Sequence, residues 1–259
     1  MELKQSAQEY EIPHQLAYYE CNELGHPTLS MVMSMLMVVA DKQSDQLGLS
    51  QENIQATGGT WVIVSFEGTL DLQSLKIGDT VILGTRATGY NRFFATREFW
   101  LRDKDGQKEY AHVQSLLAFM NLTSRKMEPI PEKIITAYQA PKVKRVPRGR
   151  RPKPIAADAL LTEKRYHVRY FDLDANRHVN NARYFDWLLD PLGEQFLTTH
   201  QLKSFSIQYH QEVRADHDIT SEFTMADPHT SLHQIKSNGK LCTKAKFSWL
   251  GSEKTFCFF

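Results

Sequence analysis

The chain has 259 residues, of which 41% are hydrophobic and 24% charged, with a formal net charge of +1. That balance is globular and excludes disordered, collagen-like and disulfide-scaffold chains, with room for about two domains of about 100–200 residues. The longest apolar run, Met31–Ala40, is broken by Ser34 and is about half of what a bilayer crossing needs, so no membrane segment is expected. In chain order, the first predicted elements are a strand through Leu16–Cys21 and a helix from about Leu29 to Leu47. The helix carries Met31, Met33, Met35, Leu36 and Met37 and is apolar nearly all round, as when a sheet encloses it. Four strands follow at Gly59–Leu70, Thr80–Thr88, Phe93–Arg102 and Lys108–Leu122, the last two joined by Asp103-Lys104-Asp105-Gly106.

Next comes a basic, proline-rich segment. Lys142, Lys144, Arg145, Arg148, Arg150, Arg151 and Lys153 fall among twelve residues without an acid, leaving 24 basic and 30 acidic residues elsewhere. Four prolines and Gly149 prevent a helix or an inner strand there. The segment reads as a solvated linker; with no aromatic residues among its cations it lacks a single-strand nucleic-acid platform.

The second half repeats the order of the first. Tyr166–Phe171 is a predicted strand, about Asn180 to Phe196 a helix, and Lys203–Val213, Ile219–Met225, Ser231–Lys236 and Lys240–Leu250 are strands, with Asn238-Gly239 a two-residue hairpin turn. The fold class is therefore α+β: an antiparallel curved sheet around a long central helix, used twice. The expected boundaries are residues 1–138, a linker at 139–162, and 163–259. The amino-terminal MELKQSAQEY lacks the layout of a secretion signal, and Cys21, Cys242 and Cys257 are few and far apart. Both observations point to a cytoplasmic protein with reduced thiols.

Phe171–Tyr184, FDLDANRHVNNARY, carries the chemistry. Asp172, Asp174 and Asn176 mimic the start of a calcium loop, but Arg177 stands where a turn glycine is needed and Arg183 where a bidentate Glu is needed. Asp174 and His178 alone are a poor metal site, and none is expected. His178 is a proton-transfer group near neutrality, placed ahead of a predicted helix start where backbone donors stabilise an oxyanion.

This run resembles the signature of the acyl-acyl-carrier-protein thioesterases, a family with two hotdog domains in one chain. The likeness extends to Tyr209-His210-Gln211-Glu212, and more loosely to Gly59–Val62, Thr96–Phe99 and Asn121–Pro131. The resemblance implies hydrolysis of fatty acyl thioesters of acyl carrier protein, ending fatty acid synthesis without a cofactor. By the same likeness the partner is the carrier with its phosphopantetheine-linked acyl chain, with no nucleic acid or membrane; a homodimer is left open. Asp174, Asn176, His178 and Glu212 fall on the family's functional positions. Val213 replaces the cysteine that plant members have after the acid, so water activation is expected rather than a thiol nucleophile.

Backbone N–H groups near Val179 and Asn180 are expected to help hold the carbonyl. Glu23–Pro27 stands at the corresponding place in the first half without a matching Asp, Asn and His set, so that half is expected to be silent and to house the acyl chain, with Met31, Met35 and Trp61 among its liners. Alternation along Phe205–Val213 puts Glu212 on the face opposite Phe205, Ile207 and Tyr209. A bulge near His210–Gln211, or a curling strand end, must therefore bring Glu212 to His178. The rival readings are an acyl-coenzyme A thioesterase and a non-catalytic acyl-binding hotdog protein.

Overall fold

The computed structural model describes residues 8–174, 177–215 and 217–251. It divides into two compact units, Met1–Gly149 and Arg150–Phe259. In the first, the strands are β1 (Glu9–Gln15), β2 (Gly59–Leu70), β3 (Thr80–Tyr90), β4 (Phe94–Asp103) and β5 (Glu109–Asn121). They lie side by side in the order β1-β3-β4-β5-β2, every pair antiparallel. Helix α1 (Leu29–Gln46) packs on this sheet through Val32, Met33, Met35, Leu36 and Val39, all buried. It starts where the Thr28 Oγ1 accepts the Met31 N–H and ends at Gly48, whose φ of 70° lets the chain reverse. Two short helices missing from the sequence reading, α2 (Gln51–Gln55) and α3 (Glu132–Tyr138), close one end of the core. Their Ile54, Ile134 and Tyr138 pack with Leu49, Phe119 and Ile130.

The second unit repeats the plan. Its strands β6 (Thr162–His167), β7 (His200–Tyr209), β8 (Asp218–Asp227), β9 (Thr230–Ser237) and β10 (Lys240–Gly251) follow the order β6-β8-β9-β10-β7. Asn238 and Gly239 both have positive φ, the geometry of the expected two-residue turn. The long helix expected here is broken. It runs as α4 (Arg183–Leu189), a 3₁₀ turn at Asp190–Leu192 and α5 (Glu194–Thr199). Pro191 offers no N–H to continue the ladder, and Gly193, at φ 81°, reverses the backbone. Burial still comes from the α4 face, where Tyr184, Phe185, Trp187 and Leu188 meet the sheet and Phe185 stands edge-on to Phe205 at 5.3 Å.

The first strand of each unit lies earlier than predicted. Leu16–Cys21 and Tyr166–Phe171 were each expected to be extended. In both, the second part is instead a 3₁₀ turn, at Tyr18–Glu20 and Tyr170–Asp172. Each turn leaves two aromatic rings exposed and one acid buried, which is why a search for alternation misreads them.

Candidate active site

The segment from Asp172 to Asn180 is a closed loop built by its own hydrogen bonds. Leu173 and Val179 pair as an antiparallel bridge. The Asp174 N–H donates to the His178 carbonyl at 2.8 Å, and the Arg177 N–H donates to the Asp174 carbonyl at 3.0 Å. Arg177 takes φ 62° to make the turn, and the His178 N–H donates to Asp174 Oδ1 at 3.2 Å. The Asp174 carboxylate thus holds the backbone of the histidine. Asp172 anchors the loop from beneath. Its side chain is 1% exposed and accepts from the Arg169 N–H at 2.9 Å and from the Arg169 guanidinium. Burial alone would raise its pKa, but the Arg169 hydrogen bonds and charge outweigh that and hold it below the usual carboxylate value.

Glu212 reaches this loop through the irregularity that its alternation requires. Strand β7 stops at Tyr209, and the N–H groups of His210 and Gln211 both donate to the Cys242 carbonyl, at 2.8 and 3.3 Å. The register of β10 against β9 skips Cys242 at the same place, which is a bulge. Past it, the chain turns onto the loop: His178 pairs with Arg214, and the Val179 N–H donates to the Val213 carbonyl. Glu212 Oε2 then lies 3.3 Å from His178 Nε2, both side chains about one-third exposed.

Two tyrosines that the sequence reading did not single out hold this arrangement. The Tyr184 hydroxyl accepts the Val213 N–H at 3.2 Å, and the Tyr209 hydroxyl donates to the Asn181 carbonyl at 3.2 Å. Their rings stand edge-on at 5.3 Å, and burial raises both phenol pKa values, keeping them protonated. The signal was present: Tyr184 closes the first motif and Tyr209 opens the second.

The other expected residues fare differently. Asn176 lies outside the described residues. The N–H groups of Val179 and Asn180 are not open to an oxyanion as expected, because they are committed to the carbonyls of Val213 and Asp172. Asn180 instead sets up α4, its Oδ1 accepting the Ala182 N–H at 2.9 Å. In the first unit, Met31 and Met35 lie in the first half of α1, whereas Trp61 joins the cluster near Leu47, about 18–24 Å further along the helix axis, and stands edge-on to Phe119. No group of three or more His, Cys, Asp and Glu side chains is arranged to hold a metal ion among the described residues.

The first unit places a histidine at the corresponding position, without the Asp and Asn that complete the set. Cys21 pairs with Pro27, the Asn22 N–H donates to the His26 carbonyl, the Gly25 N–H to the Asn22 carbonyl, the His26 N–H to Asn22 Oδ1, and the Thr28 N–H to the Glu20 carbonyl. Bond for bond this is the Asp172–Asn180 loop, with Gly25 at φ 78° where Arg177 is at 62°. His26 is the counterpart of His178, Asn22 of Asp174, and Leu24 of Asn176. The chemistry differs: the His26 Nδ1 bonds to the Leu75 carbonyl at 2.8 Å, and Lys76 Nζ approaches Nε2 at 3.3 Å. A cation stands where the second unit presents Glu212.

The model of the acyl-ACP thioesterase N-terminal domain matches residues 7–138, and that of the C-terminal domain matches residues 155–251. The chain belongs to the acyl-ACP thioesterase family. A Lactobacillus plantarum protein described as an oleoyl thioesterase is 34% identical in its crystal structure, with a TM-score of 0.90 over 94% of this chain and 96% of that one. A 12:0-ACP thioesterase from Umbellularia californica, 18% identical, shares the fold with a TM-score of 0.82 over 94% of this chain and 98% of its own. An acyl-[acyl-carrier-protein] hydrolase of Cuphea viscosissima chloroplasts is 25% identical over 221 residues, 81% of this chain and 53% of that protein. The chain spans about half the length of these curated relatives. This thioesterase-family chain is thus two hotdog units, one carrying the imidazole–carboxylate pair and one carrying its altered copy.

Proposed function

We propose that this protein hydrolyses fatty acyl thioesters of acyl carrier protein to the free fatty acid and the carrier thiol, in the second unit. The observation that carries this reading is the 3.3 Å approach of Glu212 to His178, made past the end of β7, where the His210 and Gln211 N–H groups share the Cys242 carbonyl and break the alternation that would otherwise turn the acid away. Family membership supports the substrate class. Free thiols at Cys21 and Cys242 fit a reducing compartment, and the cytoplasm is the location proposed.

In this mechanism Glu212 takes a proton from water as its oxygen adds to the thioester carbonyl carbon. His178 fixes the carboxylate and relays the proton. When the tetrahedral intermediate collapses, the carbon–sulfur bond breaks and the proton goes to the departing thiolate. Asp174 keeps the histidine backbone in place, and Asn176 is assigned to the carbonyl by its position in the family motif. The carrier is preferred over coenzyme A as the thiol.

The test is thiol release from matched acyl-carrier and acyl-coenzyme A substrates. Glu212→Gln and His178→Ala should each lower kcat about 10²–10⁴-fold with KM little changed. Unchanged turnover in both variants would take the chemistry away from this pair, absence of turnover in the wild type would leave only a binding protein, and a higher kcat/KM on coenzyme A would reassign the carrier.

A further inference from the structure

The basic segment keeps its cations in solvent, but its start is not a loose connector. Its first part, Pro141–Gly149, is a strap fixed to the first unit. The Tyr90 N–H donates to the Pro141 carbonyl at 3.1 Å, the Val143 N–H donates back to the Tyr90 carbonyl at 2.8 Å, and Lys142 pairs with Tyr90 as a parallel bridge. Val146 is buried, and the Arg148 guanidinium lies 5.8 Å above the Phe94 ring. Beneath is a cavity of about 310 Å³ whose walls include Glu67, Glu98, Arg145 and Arg148. Glu98 is committed to Arg86 at 2.7 Å.

We propose that the outer face of this strap is the docking surface for the acidic protein that carries the acyl thioester, a proposal that rests on the thioesterase reading. Lys142, Lys144, Arg145 and Arg148 are all exposed, and none forms an ion pair among the described residues. Because their backbone is already held, a partner that binds them orders little chain on docking. The rest of the protein favours the same place by contrast. Outside the twelve-residue basic run the chain carries 30 acids against 24 bases, so the run is the local excess of positive charge to which an acidic protein is steered. Nucleic acid fits less well, since the run from Lys142 to Lys153 contains no aromatic residue and Arg148 lies over the neighbouring Phe94 ring.

The experiment uses the full chain with Lys142, Lys144 and Arg145 replaced together by Glu, beside a triple Gln variant that removes charge without reversing it. Binding of the unacylated carrier is measured directly, and kcat/KM is measured on the acyl-carrier and on the matching acyl-N-acetylcysteamine thioester, which has no charge to dock. The Glu variant should bind the carrier about tenfold or more weakly at about 20 mM salt, with the difference mostly gone at about 500 mM. The Gln variant should fall between it and the wild type, and the small thioester should be hydrolysed at the wild-type rate by all three. Equal loss on both thioesters, or carrier binding unaffected by the substitutions, overturns the docking surface, as does loss of DNA binding with carrier binding intact. Should the wild type hydrolyse no thioester, the enzymatic reading fails alone, because carrier binding still decides the strap.

Discussion

Asp172 and Glu212 show how differently two carboxylates act in one small region. Glu212 is partly exposed beside an imidazole, where it can exchange a proton with water. Asp172 is buried and fully engaged with Arg169, so its role is to hold the loop. Asp172→Asn keeps the shape but weakens the charge-assisted bonds to the Arg169 N–H and guanidinium. Urea unfolding should show a loss of about 1–3 kcal/mol, while kcat falls far less than in Glu212→Gln; a loss of turnover as deep as that of Glu212→Gln would make Asp172 part of the chemistry. The sequence shows both acids but not this division, because burial depends on the 3₁₀ turn at Tyr170–Asp172, and nothing in the local pattern announces that turn. Glu212 was legible in a different way. Strict alternation placed it on the wrong face, and the conflict itself pointed to a bulge at His210–Gln211, where the two N–H groups do share the Cys242 carbonyl.

Among the elements, the strands were the most legible and the loops the least. Thr243, Ala245, Phe247 and Trp249, buried at alternate positions, mark β10 by its one buried face, whereas the consecutive Trp61–Val64 marks β2 by its β-branched and aromatic content. The break in the second helix was also written in Pro191 and Gly193, but the apolar residues on both sides masked it. The sequence places Glu23–Pro27 opposite the His178 loop but not the closeness of the likeness, which lies in backbone hydrogen bonds and a positive-φ residue more than in shared side chains. With Lys76 beside its imidazole and Asn22 in place of an acid, that loop has no base to offer. His26→Ala should therefore leave thioester turnover within about twofold of wild type, against the large loss from His178→Ala; comparable losses would show that both loops work.

Strand β9 carries a second prediction at this scale. His233 is 1% exposed, lies between Phe223 and Phe247, and bonds Ser231 Oγ at 2.8 Å. Burial pushes its pKa down from 6.5 to about 3. The folded chain therefore keeps this ring neutral while the unfolded chain protonates it below pH 6.5, so its contribution to stability is complete above 6.5 and declines as the pH falls towards 3. The expected slope is up to about 1.4 kcal/mol per pH unit. Urea unfolding from pH 7 to 4 should show the decline, and His233→Gln should flatten it. An equally steep decline in the variant would assign it to other groups.

At the scale of the whole molecule, one fold is used twice, and among the described residues the loop histidine meets a carboxylate in the second unit and a lysine in the first. Helix α1 has the composition for a chamber that takes a flexible chain, since methionine side chains adapt to the alkyl group beside them. Met35, 5% exposed on the sheet-facing side of α1, distinguishes a chamber from an ordinary core. In a filled core, Met35→Phe forces its neighbours aside and costs about 1–3 kcal/mol. In a chamber, the added ring occupies space reserved for substrate, so the fold is spared and the longest acyl groups are excluded. Acyl-chain storage in the first unit predicts the second pattern: a wild-type melting profile, kcat/KM reduced for the longest acyl carriers, and released acids shifted towards shorter chains. A destabilised variant with an unchanged product profile would return the methionines to the core and require the chain to be held elsewhere.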